Sequence, residues 1–152
     1  PDSLIKKMRN AKNFQAGLQL LRQLELSLFD FRLHLEFDPK KDYTQIQALL
    51  DKIRKRINII PVSPFNRFQH GFSHIFAGGY AAGYYSYLWA EVLSCDAFTK
   101  FLEDGIFNQE TGQAFLQSIL EQGGAIDAME LFKKFRGREP KIQAFLKSLD
   151  IE

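Results

Sequence analysis

The chain has 152 residues, 45% of them apolar and 25% charged, which is the usual composition of a soluble globular protein. Its net charge is only +2, and the densest basic cluster, residues 52–56, is interrupted by Ile53. This pattern favours a solvated helix face over a nucleic-acid-binding patch. No apolar run approaches the roughly 18 residues that span a bilayer, and no secretory signal opens the chain. We therefore expect neither a nucleic-acid nor a membrane partner.

Two local features bear on origin and compartment. Cys95 is the only cysteine, so no disulfide can form within the chain. This fits a reducing compartment and predicts a cytoplasmic location. The chain opens at Pro1 instead of Met, and a helical pattern begins almost at once. We therefore expect residues 1–152 to be a single all-α region cut from a longer protein.

The first long periodic segment predicts a helix over residues 3–35. Its apolar residues recur three or four positions apart, as on one helical face: Phe14, Leu18, Leu21, Leu24, Leu28 and Phe31. Residues 37–41 read as a turn.

Asp42 with Gln45 is a weak capping-box pattern that predicts a second helix, reaching to Ile57. Pro61 and Pro64 then end regular helix, and a long aromatic loop runs to residues 78–79. Loops of this length without secondary structure are usually functional.

The pattern turns helical again from Tyr80 to about Leu93, and Asp96 is expected to cap a further helical turn. No segment of the chain alternates with the period of two that strands require. The fold class predicted is therefore all-α, with a long glycine-rich loop before the central helix.

The C-terminal third is expected to hold shorter helices. One opens at Asn108 with Thr111 and closes at residues 123–124, and another covers residues 127–135 and stops at Gly137. Pro140 is suited to start the last one. Residues 136–140 are interpreted as a helix stop and restart that carries solvated charges.

His70 and His74 lie four residues apart, a spacing that places two histidines on one helical face. A zincin site also needs a glutamate after the first histidine, and Gly71 occupies that position. Glu91 is the nearby carboxylate at a credible distance for a third ligand. A zinc site built from these residues is one alternative that the sequence offers.

A stronger pattern follows the glycine pair Gly78 and Gly79. Tyr80, Tyr84 and Tyr87 fall at i, i+4 and i+7, so their hydroxyls are predicted to line one helical face. Tyrosine stays protonated at neutral pH and donates a hydrogen bond without a charge. A preorganised donor of this kind contributes on the order of 3 kcal/mol in a transition state.

The alternative interpretation of the same pattern is an aromatic stripe buried in the core. If the tyrosine face is a site, Tyr85 and Trp89 point elsewhere and are expected to face the core. His34, near a helix end, is interpreted as a surface residue or a partner of the helix dipole.

Residues 72–89, from Phe72-Ser73-His74 through Trp89, resemble the thimet oligopeptidase family of zinc metallopeptidases. Residues 13–34, from Asn13 to His34, are similar to the helical stretch that follows the zinc-binding helices in that family. Residues 135–140, Phe-Arg-Gly-Arg-Glu-Pro, are similar to its C-terminal signature. The resemblance covers the whole chain, with the three motifs in the family's order.

The resemblance implies an all-α fold with a deep channel between two helical lobes. It also implies a zinc ion held by an HExxH helix and by a glutamate on a following helix. Both elements lie upstream of the region resembled here, and neither occurs in residues 1–152. The expected cofactor is therefore zinc in the longer protein, with none bound by this chain and no metal ligand within it.

Carried over by motif, His74 would contact the substrate backbone, and Tyr80 would bind substrate near the scissile bond. Tyr87 is the candidate donor to the oxyanion, with Tyr84 in support. Three glycines would let the loop move onto a bound peptide: Gly78, Gly79 and Gly83.

Two function classes follow. The first is a zinc endopeptidase of short peptides, to which this chain contributes substrate-binding and oxyanion-stabilising residues but not the zinc ligands. The second is a non-catalytic helical module that binds a peptide or a partner. In the first case the missing N-terminal part of the protein is itself a partner, and the isolated chain is expected to be inactive and to self-associate.

Overall fold

Helices account for the regular structure of residues 1–151, which are the residues that the computed structural model describes. Within them there is no β-strand, which confirms the all-α prediction. The α-helices are α1 (Asp2–Asn13), α2 (Ala16–Glu36), α3 (Thr44–Ile57), α4 (Ser86–Asp104), α5 (Gln109–Phe115), α6 (Ala128–Arg136) and α7 (Gln143–Ser148), and a π-helical segment, Leu116–Leu120, follows α5. Contacts divide the chain into two compact units, Pro1–Leu88 and Trp89–Glu152. No helix of the described residues is both long and apolar enough to cross a membrane.

The single helix predicted over residues 3–35 is wrong in one respect, because it is broken at Gln15. That residue has φ 56° and ψ 27°, which is left-handed, and a residue in this conformation cannot continue a right-handed helix. Phe14 before it is extended at ψ 118°. The break separates α1, which buries no residue, from α2, which carries the core of the first unit.

The buried face of α2 also differs from the predicted one. The predicted apolar stripe is largely at the surface, with Leu24, Leu28 and Phe31 all exposed. The buried positions are instead Ala16, Glu25, Ser27, Phe29, Asp30 and Leu33. Apolar spacing identified the helix, but tertiary contacts selected the adjacent face, which includes two carboxylates.

The core of the first unit lies between α2 and α3. Phe29 and Leu33 of α2 pack with Leu50 and Ile53 of α3, and Ile75 from the following loop joins them. Fully burying an aliphatic or aromatic side chain contributes about 1.5–3 kcal/mol. This core therefore anchors both helices and one point of the loop.

The buried Glu25 carboxylate ties α2 to α3 and to the start of the loop. It accepts a 2.8 Å hydrogen bond from Arg54 Nε and one from Asn58, and Arg54 Nη2 donates to Asn66 Oδ1 at 2.8 Å. Burial raises the pKa of Glu25, but hydrogen bonds from Arg54 and Arg22 outweigh it and lower that pKa. The ionised form is thus the one that fits this site.

Helix ends in the second unit follow the local signals. Asn108 caps α5 by accepting from the Thr111 amide, and Asp127 caps α6 by accepting from the Met129 amide. Gly137 ends α6 in the left-handed conformation at φ 71°. These boundaries confirm the predictions at Asn108, Asp127 and Gly137. The last helix begins at Gln143, three residues after Pro140.

The prediction that Asp96 caps a helical turn is wrong, because α4 continues through it from Ser86 to Asp104. Its buried carboxylate accepts from Arg138 Nη1 at 2.7 Å and from the Lys141 amide at 2.6 Å. The charges of residues 136–140 are therefore not all solvated, which corrects that prediction. Asp96 holds the segment between α6 and α7 against α4.

We expect Asp96 to support the second unit at neutral pH and to lose this role in acid. Hydrogen bonding from Arg138 lowers the pKa of Asp96. A lowered folded-state pKa contributes stability that is present above the unfolded value, about 4, and lost as pH falls through the folded value. Asp96→Asn should cost about 1–3 kcal/mol at neutral pH. Chemical denaturation across a pH series should show a weaker acid dependence in this variant.

The exposed Glu121 offers a matched control, since Glu121→Gln removes a carboxylate of the same unit. That variant should unfold like the wild type at every pH. An acid dependence of Asp96→Asn equal to that of the wild type would contradict the assignment.

Candidate functional site

The loop between α3 and α4 runs through residues 58–85 and carries most of the candidate residues. Two short 3₁₀ turns, Phe68–His70 and Ser73–Ile75, interrupt it. Ile75 is buried in the core of the first unit, so packing fixes the loop to the core at this residue. The prediction of a long loop after Pro61 and Pro64 is confirmed.

The helix predicted to begin at Tyr80 begins instead at Ser86. Residues 80–85 form a series of turns, in which the Gly83 amide donates to the Tyr80 carbonyl at 2.7 Å and the Ser86 amide to the Gly83 carbonyl at 3.0 Å. Ala82 has φ 57°, which excludes right-handed helix there. This left-handed conformation costs a non-glycine residue roughly 1–2 kcal/mol, so the surroundings must hold it.

Asp30 of α2 provides that hold. Its side chain is 0% exposed, and its two oxygens each accept one backbone hydrogen bond from the turn. Oδ1 accepts from the Ala82 amide at 3.1 Å, and Oδ2 accepts from the Tyr84 amide at 3.0 Å. The sequence analysis assigned no role to Asp30. A carboxylate between Phe29 and Phe31 in an apolar segment could nevertheless have indicated a buried polar contact.

The tyrosines that were predicted to share one helical face do come together, but around His74 instead of along a helix. Ring centroids of His74 lie 5.3 Å from Tyr80, 5.2 Å from Tyr84 and 6.1 Å from Tyr87. Tyr80 and Tyr87 stack at 5.0 Å with 21° between their planes. We call His74, Tyr80, Tyr84 and Tyr87 the tyrosine cluster.

The hydroxyls of the cluster differ in what they can do. Tyr84 donates its proton to Gln23 Oε1 at 3.0 Å, so this hydroxyl is engaged within the protein. Hydrogen bonding to the Tyr80 hydroxyl, with some desolvation, raises the pKa of Tyr87 to about 12. Tyr87 is 42% exposed and stays protonated at neutral pH, so a ligand can reach this hydroxyl.

The cluster lies at the surface and is not part of the buried core of the first unit, which the alternative interpretation required. The prediction that Tyr85 and Trp89 point into the core is also wrong, since these side chains are 50% and 45% exposed. Tyr85 makes an edge contact with Phe31 of α2 at 6.1 Å. It is therefore a neighbouring tyrosine outside the cluster.

His34 is exposed in the last turn of α2, as expected, and it bonds to the backbone of Asp30. Its Nδ1–H donates to the Asp30 carbonyl at 2.9 Å, and its ring packs edge-on against Phe76 at 5.7 Å. His70 is exposed and takes no part in the tyrosine cluster.

No group of three His, Cys, Asp or Glu among residues 1–151 is arranged to hold a metal ion. The hypothesis of a local zinc site built from His70, His74 and Glu91 therefore gains no support. His74 has aromatic rings as its neighbours instead.

Residues 78–79 precede the cluster and have the backbone conformation that glycine favours. Gly78 has φ 73° and Gly79 has φ 77°. A Cβ on Gly78 would lie 3.1 Å from Cδ2 of Tyr80, whereas a Cβ on Gly79 would meet nothing within 4 Å. Gly78 therefore lets the chain pass directly beneath the Tyr80 ring.

These features define an all-α chain with a surface cluster of phenol donors beside a glycine turn. The sequence model of peptidase family M3 matches residues 1–151, and the chain belongs to that family. It is 56% identical to oligopeptidase A of Salmonella typhimurium over all of its length, which is 22% of that protein. Two Arabidopsis thaliana proteins are similar over 97% of the chain: a probable cytosolic oligopeptidase A, 44% identical, and an organellar oligopeptidase A, 43% identical. The chain spans about a fifth of the length of these relatives.

Gly78→Ala and Gly79→Ala form a matched pair that tests the support of Tyr80. Both substitutions place a side chain at positive φ, and each should lower the free energy of unfolding by about 1 kcal/mol. Only Gly78→Ala also presses on the Tyr80 ring, so only this variant should change the near-ultraviolet circular dichroism of the tyrosines. Identical spectra for the two variants would show that Gly78 does not position Tyr80.

Proposed function

We propose that the chain is part of a zinc metalloendopeptidase that cleaves short peptides, and that it supplies substrate-binding and oxyanion-stabilising side chains. The observation that carries the proposal is the protonated, exposed Tyr87 hydroxyl beside Tyr80 and His74. Membership of peptidase family M3 and the names of the oligopeptidase relatives support it.

Peptide hydrolysis develops negative charge on the carbonyl oxygen of the scissile bond. A neutral donor aimed at that oxygen stabilises the tetrahedral intermediate and has no charge to neutralise in the ground state. Tyr87 suits this role because a phenol is a neutral donor that keeps its proton throughout the physiological range, and the hydroxyl lies partly open to solvent. Tyr80, stacked against it, is proposed to bind substrate near the scissile bond.

The other two members of the cluster are assigned supporting roles. His74 has ring nitrogens that can contact the peptide backbone, and its ring is held among those of the three tyrosines. Tyr84 donates to Gln23, so it contributes by fixing the ring arrangement and by accepting a hydrogen bond from a ligand. Gly78 and Gly79 are proposed as the points at which the loop adjusts to a bound peptide.

Zinc belongs to this proposal through the family, and the described residues of the chain do not fit it. No group of potential ligands is arranged for a metal in residues 1–151. We therefore assign the zinc ligands to another part of the longer protein.

Exposed apolar surface supports a role as part of a larger assembly. Phe107 is 95% exposed, and several other large apolar side chains are exposed in the described residues, among them Phe14, Leu35, Phe65 and Phe76. We propose that the remainder of the same protein covers them.

The cytoplasm is the proposed location, on the basis of the single cysteine and of the name of one plant relative. The other plant relative is named as an organellar protein, so cell fractionation is the appropriate test.

The proposal is tested by hydrolysis of a short peptide by the longer protein that contains this chain. Tyr87→Phe removes one hydroxyl and almost no volume, so kcat should fall by about 10²–10³ while KM changes little. Tyr85→Phe is the matched control, because Tyr85 is adjacent to the cluster in sequence but contacts Phe31 instead. It should keep the wild-type kcat.

Equal activity of the two variants would remove the oxyanion role from Tyr87. A longer protein that binds peptides but hydrolyses none would replace the peptidase proposal with the non-catalytic peptide-binding module.

The isolated chain of 152 residues gives an independent prediction. Because it lacks the proposed zinc ligands and exposes apolar surface, it should hydrolyse no peptide with added zinc, and it should self-associate. Light scattering and a peptide assay check both points. Zinc-dependent hydrolysis by the pure chain would contradict the proposal that another part of the protein holds the zinc. A stable monomer would contradict the proposal that another part of the protein covers the exposed apolar side chains.

A further inference from the structure

We propose that Asp30 is a positioning residue for the tyrosine cluster, acting through the backbone of residues 82–84. It touches neither substrate nor reacting atoms. Its effect on catalysis rests on the peptidase function proposed above, whereas its effect on the cluster does not.

Asp30 is itself firmly placed. It lies on α2 between Phe29, which is fully buried in the core, and Leu33, which packs in the same core. Its own carbonyl accepts from His34 Nδ1 at 2.9 Å. The backbone of Asp30 is therefore held in place, and its carboxylate binds the loop from a defined position.

The Asp30 carboxylate satisfies two amides that the turn leaves without a helical partner. Ala82 and Tyr84 donate to separate oxygens of Asp30, so the contact fixes both the position and the orientation of the turn. Tyr84, whose amide is held, contacts His74 at 5.2 Å and Tyr87 at 5.3 Å between ring centroids.

The local sequence of residues 80–85 favours a structure different from the observed turn. Spacing predicts helix from Tyr80 onward, and in a helix residues seven apart are separated by about 10 Å along the axis. The observed stack of Tyr80 on Tyr87 at 5.0 Å requires that residues 80–85 do not continue the helix. Asp30 supplies the bonds that hold the non-helical turn, including Ala82 at φ 57°.

The experiment on the isolated chain compares Asp30→Asn with Glu25→Gln. Both substitutions neutralise a buried carboxylate of α2, but Glu25 binds Arg54 and Asn58 and makes no hydrogen bond to the tyrosine turn. In Asp30→Asn the Ala82 and Tyr84 amides should exchange roughly ten- to a hundredfold faster, the scale of a lost bond to a charged group. Tyr87 should also titrate closer to the usual tyrosine value of about 10 than to 12. Glu25→Gln should change neither.

A variant that fails to fold would leave one decisive measurement on the wild type. Amides of Ala82 and Tyr84 should be protected there despite lying outside a helix, and rapid exchange at both would overturn the proposal. Unchanged exchange and titration in a folded Asp30→Asn chain would overturn it as well.

The experiment on the longer protein separates positioning from stability. Asp30→Asn should lower kcat by about a hundredfold, as expected for a misplaced group, with a smaller change in KM. Asp30→Glu, which keeps the carboxylate, should recover part of the loss, and Glu25→Gln should keep kcat. Equal kcat values for Asp30→Asn and Glu25→Gln would overturn the positioning role. Absence of hydrolysis by the unsubstituted protein would instead defeat the peptidase proposal and leave the exchange measurements to decide the role of Asp30.

Discussion

The contact between the Asp30 carboxylate and two amides of the following loop is where the helical core and the candidate site meet. The carboxylate is fully buried on α2, and the amides of Ala82 and Tyr84 approach it from a turn that would otherwise leave them without partners. An unpaired buried charge or amide is costly, so each side of the contact stabilises the other. The start of α4 at Ser86 and the stack of Tyr80 on Tyr87 both follow from this turn.

Each compact unit uses buried carboxylates to hold irregular chain against a helix. In the first unit Glu25 binds Arg54, which in turn holds Asn66 at the start of the long loop. In the second unit Asp96 binds Arg138 and the Lys141 amide between α6 and α7. A carboxylate can accept several hydrogen bonds at once. One side chain can therefore hold a segment that lacks the regular backbone hydrogen bonds of a helix.

The tyrosine cluster combines rigidity with access. Its rings contact one another around His74, which limits their freedom, yet Tyr87 remains partly open to solvent. A binding site needs both properties, because a donor must be held before the ligand arrives and must still be reachable. A buried aromatic stripe would be rigid but would not be accessible to a ligand. This difference favours the peptidase proposal over simple packing.

Local patterns in the sequence were sufficient for the all-α class, for the caps at Asn108 and Asp127, for the stop at Gly137 and for the loop after Pro61. These features depend on interactions between residues a few positions apart, which spacing reports directly. Spacing also grouped Tyr80, Tyr84 and Tyr87, but on a helical face that residues 80–85 do not form, so their contacts around His74 come from the tertiary structure.

Contacts between distant residues decided the rest. The left-handed break at Gln15, the buried face of α2 and the delayed start of α4 each contradict the local pattern. Asp30 lies 52 residues from Ala82, and Asp96 lies 42 residues from Arg138. Periodicity in one segment carries no information about a carboxylate presented by another. Only the packed structure brings those groups within bonding distance and makes a turn more stable than the helix that the local sequence favours.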